Sequence, residues 1–542
     1  MIIIGVTHPI SLNNAACIFV DGVLTAFAEE ERFIRLKHAP HIWPSRAIEY
    51  CLSAANIAPS QVDITAIGFA FPERESLKKV CLDAYPHGVS SSSAFEFNTN
   101  ISFIANDLKI MSLGKRKYYD HHLSHAVSTS IPSGFAATNI ISLDGWGGAH
   151  AGLLGWQRDG EDVTVFKHIS PENSWGMLYE LVTYYVGFRP HSGEGKTMGL
   201  ASYGVVNPDL LPDFCDTDLG LPDVPRYRAF LEEKYIGPRR GPLTDIHQNL
   251  AATLQFYYER SLIAIGRELT RASGIRHFAL AGGVALNCSG NGALAQQEFV
   301  DNIFIQPASH DSGTALGAAI LAHRESTGIW PKLEFHHASW GSGFTQDSIR
   351  GALDFAGAKY LECNPAVATA EALSQDKLVG FFQGRAEIGP RALGNRSILA
   401  NPAHAINKDR VNLKVKRREN WRPFAPSILH ERYSEIVDAR VDSPFMILAF
   451  QARDNWKQRI PAVVHVDGSC RPQSVVKSEN AVYHEAISEF NGRTGLPLVL
   501  NTSFNLEDEP IVNSPEHAIA TFFRSGLDTL VIGNFIVHKT RL

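Results

Sequence analysis

The sequence is poor in the features that settle a function quickly. Its seven cysteines stand singly at 17, 51, 81, 215, 288, 363 and 470, with no Cys-x-x-Cys pair. That excludes a disulfide frame and a zinc site built on paired thiolates, and it points to a reducing, cytoplasmic setting. Positive charge is not in surplus: 50 Lys and Arg against 56 Asp and Glu give a net −6. No basic field is therefore available to hold nucleic acid. No apolar run reaches membrane-spanning length. The first residues, Met1 to His8, lack the basic flank and long apolar stretch of a secretory leader. These absences predict a soluble cytoplasmic protein with neither nucleic acid nor membrane as partner.

What is present is more telling. A chain of 542 residues is too long for one core, so two or more domains are expected. Residues 2–8 read as a buried strand, and Asp21-Gly22 joins two apolar runs between 15 and 31 as a tight hairpin. The same strand-and-hairpin pattern returns in the strand Asn139–Leu143, the strand Ala151–Trp156 and a strand over 163–166 after Asp159-Gly160. Duplication about 135 residues apart predicts two similar α/β halves facing each other across a ligand cleft. Helices are expected over 46–56, 178–186 and 246–272.

Several side chains fall where such a cleft would lie. His121 and His125 stand four apart at a helix start, one face of a helix that suits a shared metal. Asp144 closes the following apolar run and offers an oxygen ligand. Alone, the pair reads equally as two surface histidines. The charged run Glu29–His38 has the composition of a solvated edge. The loop His191–Gly204, with Lys196 among its glycines, suits phosphate or a simple turn. Gly282-Gly283, between a strand and a helix, lets a nucleotide approach backbone N–H groups. Asp311 and Gly313 repeat that acid–glycine–helix design.

Beyond a break over 325–350, Arg and Lys recur among Gly, Pro and aromatic residues: Gly384–Ser397, Lys414–Glu419, Trp421–Pro426, His465–Arg471 and Leu500–Asn505. Guanidinium forks bind phosphate oxygens bidentately. A basic surface or RNA contact is the competing explanation.

Taken together, Glu30–Phe33, Asp120–Ala126, Asp144-Gly145, Glu194–Gly199, Gly282–Asn287, Asp311–Gly317, Gly389–Leu399, Arg422–Ser427 and Leu500–Asn505 resemble the O-carbamoyltransferases of the NodU/CmcH type, which make carbamoylated antibiotics and nodulation factors. The resemblance implies an N-terminal domain over 1–345, a duplicated α/β unit of the actin/hexokinase/heat-shock ATPase superfold similar to tRNA threonylcarbamoyltransferases. It implies a YrdC-like α/β domain over 346–542. It assigns a metal, Fe2+, to His121, His125, Asp144 and Asp311. Lys196, Gly282, Gly283, Asn287 and Gly313 are assigned to the nucleotide, and Arg391, Lys416, Arg422, Arg471 and Ser503 to carbamoyl phosphate. The implied chemistry runs from carbamoyl phosphate and ATP, escorted by Mg2+, through carbamoyladenylate to the hydroxyl of a small natural product. An ATP-binding kinase or chaperone-like protein of the same superfold is the alternative. A homodimer fits the general prevalence of twofold assemblies.

One departure stands out. Counting back from Asp21-Gly22, the family's usual His-Asp pair falls on Leu12-Asn13. Leucine cannot take a proton from an acceptor, so His8, or Lys37 sharing the work, is expected to replace it. Residues 60–118 and 205–245, with Phe69–Glu73 and Phe95–Asn98, are expected as walls of the acceptor pocket or as core.

Overall fold

Two five-stranded sheets of identical topology form the first part of the molecule. The computed structural model describes residues 1–70, 113–235 and 237–539. The first sheet consists of β1 (Ile2–Val6), β2 (Ala15–Val20), β3 (Val23–Glu29), β4 (Ile64–Ile67) and β5 (Lys115–Tyr118), in the order β3-β2-β1-β4-β5. The second consists of β6 (Ala137–Gly147), β7 (His150–Arg158), β8 (Thr164–Ile169), β9 (His277–Ala281) and β10 (Asn302–Ile305), in the order β10-β9-β6-β7-β8. In each, the first strand opens an antiparallel meander on one side and pairs in parallel on the other. The duplication legible in the sequence is therefore real. Asp21 and Gly22 both take positive φ, 50° and 80°, as a two-residue turn matched to strand twist requires.

The two halves meet along the helices His121–Ser130 and Ser312–Thr327, which pack against each other. Gly317 lets them approach: a Cβ there would lie 1.8 Å from the Ser124 carbonyl oxygen. No rotamer relieves a clash with backbone. Gly317→Ala is therefore expected to destabilise the protein by about 1–3 kcal/mol, read as a lower urea midpoint.

An eight-stranded mixed sheet follows. It is built from β11 (Tyr360–Glu362), β12 (Val379–Phe382), β13 (Arg396–Ala400), β14 (Ala425–Leu429), β18 (Gln473–Val475), β19 (Leu498–Ser503), β20 (Thr529–Ile532) and β21 (Phe535–His538), in the order β11-β21-β20-β12-β13-β19-β14-β18. Three short strands, β15 (Val437–Asp438), β16 (Phe450–Ala452) and β17 (Ser469–Cys470), form a separate sheet. One apolar core runs from Ile3 to Val537. Among the described residues no helix is long and apolar enough to cross a membrane.

The Glu29–His38 run is not a solvated edge. Glu29, Glu30 and Arg32 are buried. The Glu30 carboxylate accepts the N–H groups of Arg46 and Ala47 and so caps the helix Ser45–Ala54. Arg32 donates to Glu29 at 2.9 Å and to the Gly389 carbonyl at 2.6 Å, while Gly389 N–H returns to Glu29 at 2.9 Å. Buried charges of opposite sign persist when they are paired with one another. Phe69 is buried, whereas Phe71–Glu73 and Phe95–Asn98 lie outside the described residues.

Candidate functional site

The helix His121–Ser130 begins on Asp120, whose carboxylate caps Leu123 N–H. That start fixes His121 and His125 one turn apart, rings 4.6 Å apart and edge to face. His121 Nδ1 lies 3.3 Å from the Gly68 carbonyl, which takes its proton and leaves Nε2 facing inward. The ring fits because residue 147 is glycine: a Cβ there would stand 2.0 Å from His121 Cδ2.

Asp144 sits where the pairing of β6 with β7 breaks, between Leu143 and Gly147. The break turns its carboxylate out of the sheet. One oxygen accepts from Gly145 N–H at 2.8 Å and from Gly283 N–H at 3.3 Å. The other lies 3.3 Å from His121 Nε2 and 3.2 Å from His125 Nε2. Asp311, at the head of the helix Ser312–Thr327, accepts Leu12 N–H at 3.0 Å and stands 3.8 Å and 3.9 Å from the same two nitrogens. Leu12 thus contributes its backbone where the family pattern has a histidine side chain.

Ligand atoms of His121, His125, Asp144 and Asp311 lie within 4.8 Å of one another. Two imidazole nitrogens and two carboxylates suit a first-row divalent ion. His125 is wholly buried, and neither ring nitrogen makes a directed hydrogen bond. Burial alone would lower its pKa, yet Asp144 and Asp311 hold it up at about 9. Burial likewise works against the Asp144 carboxylate, but the two imidazoles keep it well below the ordinary range. The cluster is built for a cation.

The residues expected at the nucleotide lie in well-defined surroundings. Gly282 takes φ 86°, and a Cβ there would meet the Leu143 carbonyl at 2.1 Å. Gly283 N–H supports Asp144. Asn287 is buried in a reciprocal amide pair with Gln255 and caps Gly290. Gly313 packs against the Ala308 carbonyl. Lys196, on the helix Glu194–Ala201, reaches Glu419 at 3.3 Å.

That contact leads to the second cluster. Glu387 accepts the N–H groups of Leu393, Asn395 and Arg396 and so closes the loop that carries Arg391. A π-helical turn over Val411–Lys416 ends on Arg417 with φ 48°, which leaves Arg417 exposed and turns Lys416 and Arg418 inward. The Lys416 ammonium donates to Ser503 Oγ at 3.1 Å and Asn505 Oδ1 at 2.6 Å. Burial and the neighbouring Arg418, Arg422 and Lys37 charges push it well below the ordinary lysine value. Burial and Arg471 push Arg391 down to about 9. Arg391 and Arg471 each keep a buried Nε with no hydrogen-bond partner. Arg418, which sequence reasoning left out, lies 4.8 Å over the Phe424 ring and donates to Asn412.

The two clusters are joined. Gly389, on the Arg391 loop, has φ 85° and no room for a Cβ, which would lie 2.1 Å from the Pro307 carbonyl, four residues before Asp311. Arg35 donates to the carbonyls of Pro510 and Ile511. Tyr203 reaches Trp421 O at 3.0 Å, and Lys37 feels the charges of Glu31, Asp508, Arg422 and Lys196. His8 is buried, its ring 5.9 Å from Phe69, which lies tilted 4.9 Å from His121.

Comparison with known proteins closes the description. The family model described as "Carbamoyltransferase N-terminus" matches residues 3–320, and "Carbamoyltransferase C-terminus" matches 370–539. The nodulation protein NolNO of Sinorhizobium fredii is 37% identical over 97% of this chain and 79% of its own length. Nodulation protein U of Rhizobium tropici is 29% identical over 93% of this chain and 90% of its own. Component A of the (R)-2-hydroxyglutaryl-CoA dehydratase of Acidaminococcus fermentans is a 14% identical structure that covers 60% of this chain and 99% of its own, with a TM-score of 0.33.

Proposed function

The chain belongs to the carbamoyltransferase family, and from that premise we propose an ATP-dependent O-carbamoyltransferase that works through carbamoyladenylate on a hydroxyl of a small natural product. One observation carries the reading: a His2Asp2 cluster and a cradle of inward-facing cations, two of which keep a buried Nε that no described residue bonds, are tied together in one molecule.

Carbamoyl phosphate and ATP would meet in the part beyond residue 345. Arg391, Lys416, Arg422, Arg471 and Ser503 would grip the phosphate, with Arg418 beside them. Where they are withdrawn from water, fixed cations offset charge developing on the phosphates more strongly than solvent does. Water would split the P–O bond of carbamoyl phosphate to give carbamate and phosphate, and a carbamate oxygen would then attack the α-phosphorus of Mg2+-escorted ATP, with pyrophosphate leaving. The adenylate passes to residues 1–345 along the side that Lys37 and Lys196 line. There Gly282, Gly283, Asn287 and Gly313 shape the nucleotide's seat, and Lys37 steadies the leaving phosphate. Iron, which the family resemblance implies, would be held by His121, His125, Asp144 and Asp311 and would supply a Lewis acid for the carbamoyl oxygen. His8, whose Nδ1 accepts Ile10 N–H at 3.1 Å, would stand nearby as the base expected in place of the family's histidine.

Pyrophosphate release from ATP is the test. It is expected to require carbamoyl phosphate, with a burst near one equivalent per chain. Release indifferent to carbamoyl phosphate would replace the reading with an ATPase or kinase in the same fold.

A further inference from the structure

Glu29 ends β3, buried, and its carboxylate is shared between two parts of the molecule. Oε2 faces the Arg391 loop. It accepts Gly389 N–H and an Arg32 N–H, each at 2.9 Å, and the same Arg32 nitrogen donates to the Gly389 carbonyl. Oε1 accepts the Ser312 hydroxyl at 3.2 Å and lies 3.3 Å from His310 Nε2. His310 Nδ1 accepts Ser312 N–H at 3.3 Å, so the neutral ring carries its proton on Nε2 and donates it to Glu29. His310 and Ser312 are the chain neighbours of Asp311. One buried carboxylate therefore holds both neighbours of a metal-cluster ligand with one oxygen and the cation loop with the other.

The segment that follows Glu29 holds the second wall of the cradle. After the turn Glu31–Ile34 the backbone becomes left-handed at Arg35, φ 59°. The Arg35 guanidinium donates to the Pro510 and Ile511 carbonyls at 2.8 Å and 2.7 Å. Five residues before Pro510, the Asn505 side chain accepts from the Lys416 ammonium. Both loops that shape the cradle thus rest on residues 29–35.

Asp311 is the outer member of the metal cluster. Asp144 reaches the His121 and His125 Nε2 atoms at 3.3 Å and 3.2 Å, whereas Asp311 stands 3.8 Å and 3.9 Å away. Donors held tetrahedrally at about 2.1 Å from one ion lie roughly 3.4 Å from each other. Asp144 is already at that separation, and Asp311 is the ligand that has to come in. His310 and Ser312 move with it, and a buried hydrogen bond is costly to leave unmade, so Glu29 follows. Gly389 is also pressed against the Pro307 carbonyl, on the chain leading to Asp311.

We propose that Glu29, paired with Arg32, is a positioning residue that couples the two clusters. Closing the His2Asp2 cluster on an ion sets the Arg391 loop for phosphate, and a filled cradle tightens the hold on the ion. This rests on the carbamoyl-transfer reading, in which the adenylate is made at one cluster and used at the other. Coupling of this sign disfavours adenylate formation on a chain that cannot complete the transfer. It acts on the affinity for carbamoyl phosphate, so the burst at saturating substrate is unchanged.

The experiment uses the full chain, metal-free or loaded anaerobically with Fe2+ and freed of excess ion, with inorganic phosphate as the probe. Calorimetry gives the phosphate Kd of each form. The iron-loaded wild type is expected to bind phosphate about tenfold more tightly than the metal-free protein, a coupling of about 1.4 kcal/mol. Linkage requires the reverse effect: saturating phosphate raises iron retention against a chelator by the same factor. Ser312→Ala takes one donor from Glu29 and leaves the Arg32 pair and the His310 contact in place, so the ratio is expected to fall to about threefold. Glu29→Leu/Arg32→Met exchanges the buried pair for apolar side chains, which proteins often tolerate, and is expected to bring the ratio to about one. Ser312→Ala decides the matter by itself where the double variant does not fold. A merely structural pair would shift stability, or both affinities together, and leave the ratio standing. A tenfold ratio that survives these substitutions would mean that the field of the ion acts on phosphate directly, and it would overturn the proposal. So would a wild type whose phosphate affinity ignores iron. Pyrophosphate release indifferent to carbamoyl phosphate is a separate result, which would overturn the parent reading and leave the measured ratio in place.

Discussion

His125→Ala is expected to bind no metal and to lose carbamoyl transfer by about three orders of magnitude, while the pyrophosphate burst persists. The ring is fully buried and supplies one of four ligand atoms that converge within 4.8 Å. Its removal leaves His121 alone between the Asp144 and Asp311 carboxylates, with a cavity where the second nitrogen stood. Lewis-acid help at a carbonyl is worth several kcal/mol, and about 4 kcal/mol corresponds to a thousandfold in rate. The burst survives because adenylate formation is assigned to Arg391, Lys416, Arg422 and Arg471, on other elements. Iron content by elemental analysis, alongside the two rates, checks each part. A metal-free variant that transfers at full rate would remove the cluster from the mechanism.

How much of this was legible in the sequence depended on whether the cause was local. The Asp21-Gly22 hairpin and the doubled strand pattern could be read because a two-residue turn and alternating burial are written in neighbouring residues. His121 and His125 could be paired because helical spacing alone puts them on one face. The fate of Glu29 and Arg32 could not. Their burial depends on Gly389, some 360 residues away, and nothing local distinguishes that run from a solvated edge. Arg418 was hidden similarly. Within Lys416-Arg417-Arg418, only the π-turn and the left-handed Arg417 decide which cations face inward. The support that the Gly283 N–H gives Asp144 was not legible either, because the β6–β7 break that brings Asp144 there is a tertiary feature.

Arg391→Leu is expected to abolish adenylate formation, by about a thousandfold or more, without lowering the stability of the ligand-free protein. Most losses of a polar side chain destabilise, and here the balance runs the other way. The guanidinium lies beside Arg471 and Arg422 with a buried Nε that nothing satisfies, and its pKa is held down near 9. A cation whose pKa is lower in the folded state than in the unfolded chain opposes folding at every pH below the folded value. That penalty fades only as pH climbs from the folded value towards the unfolded one. Replacing such a group by an apolar one relieves the strain, discounted here to about 1 kcal/mol because Arg391 is partly open to the cleft. Lys416 supplies the contrast. Its ammonium donates to Ser503 Oγ and Asn505 Oδ1, so Lys416→Met removes a donor from each, leaving Asn505 Oδ1 with Ser503 Oγ–H alone, and is expected to lower stability as well as activity. Anion binding ties the two variants together. Inorganic phosphate at about 100 times its Kd would stabilise the wild type by about 2.7 kcal/mol, visible as a raised melting temperature, and Arg391→Leu is expected to lose that rise. Phosphate also lifts the depressed Lys416 pKa, so binding above the free-state value takes up a proton and weakens as pH rises through the bound-state value. Calorimetry in buffers of different ionisation heat reads the uptake directly. A cradle that binds phosphate with no proton uptake, or an Arg391→Leu protein that melts well below wild type without phosphate, would show these cations to be structural.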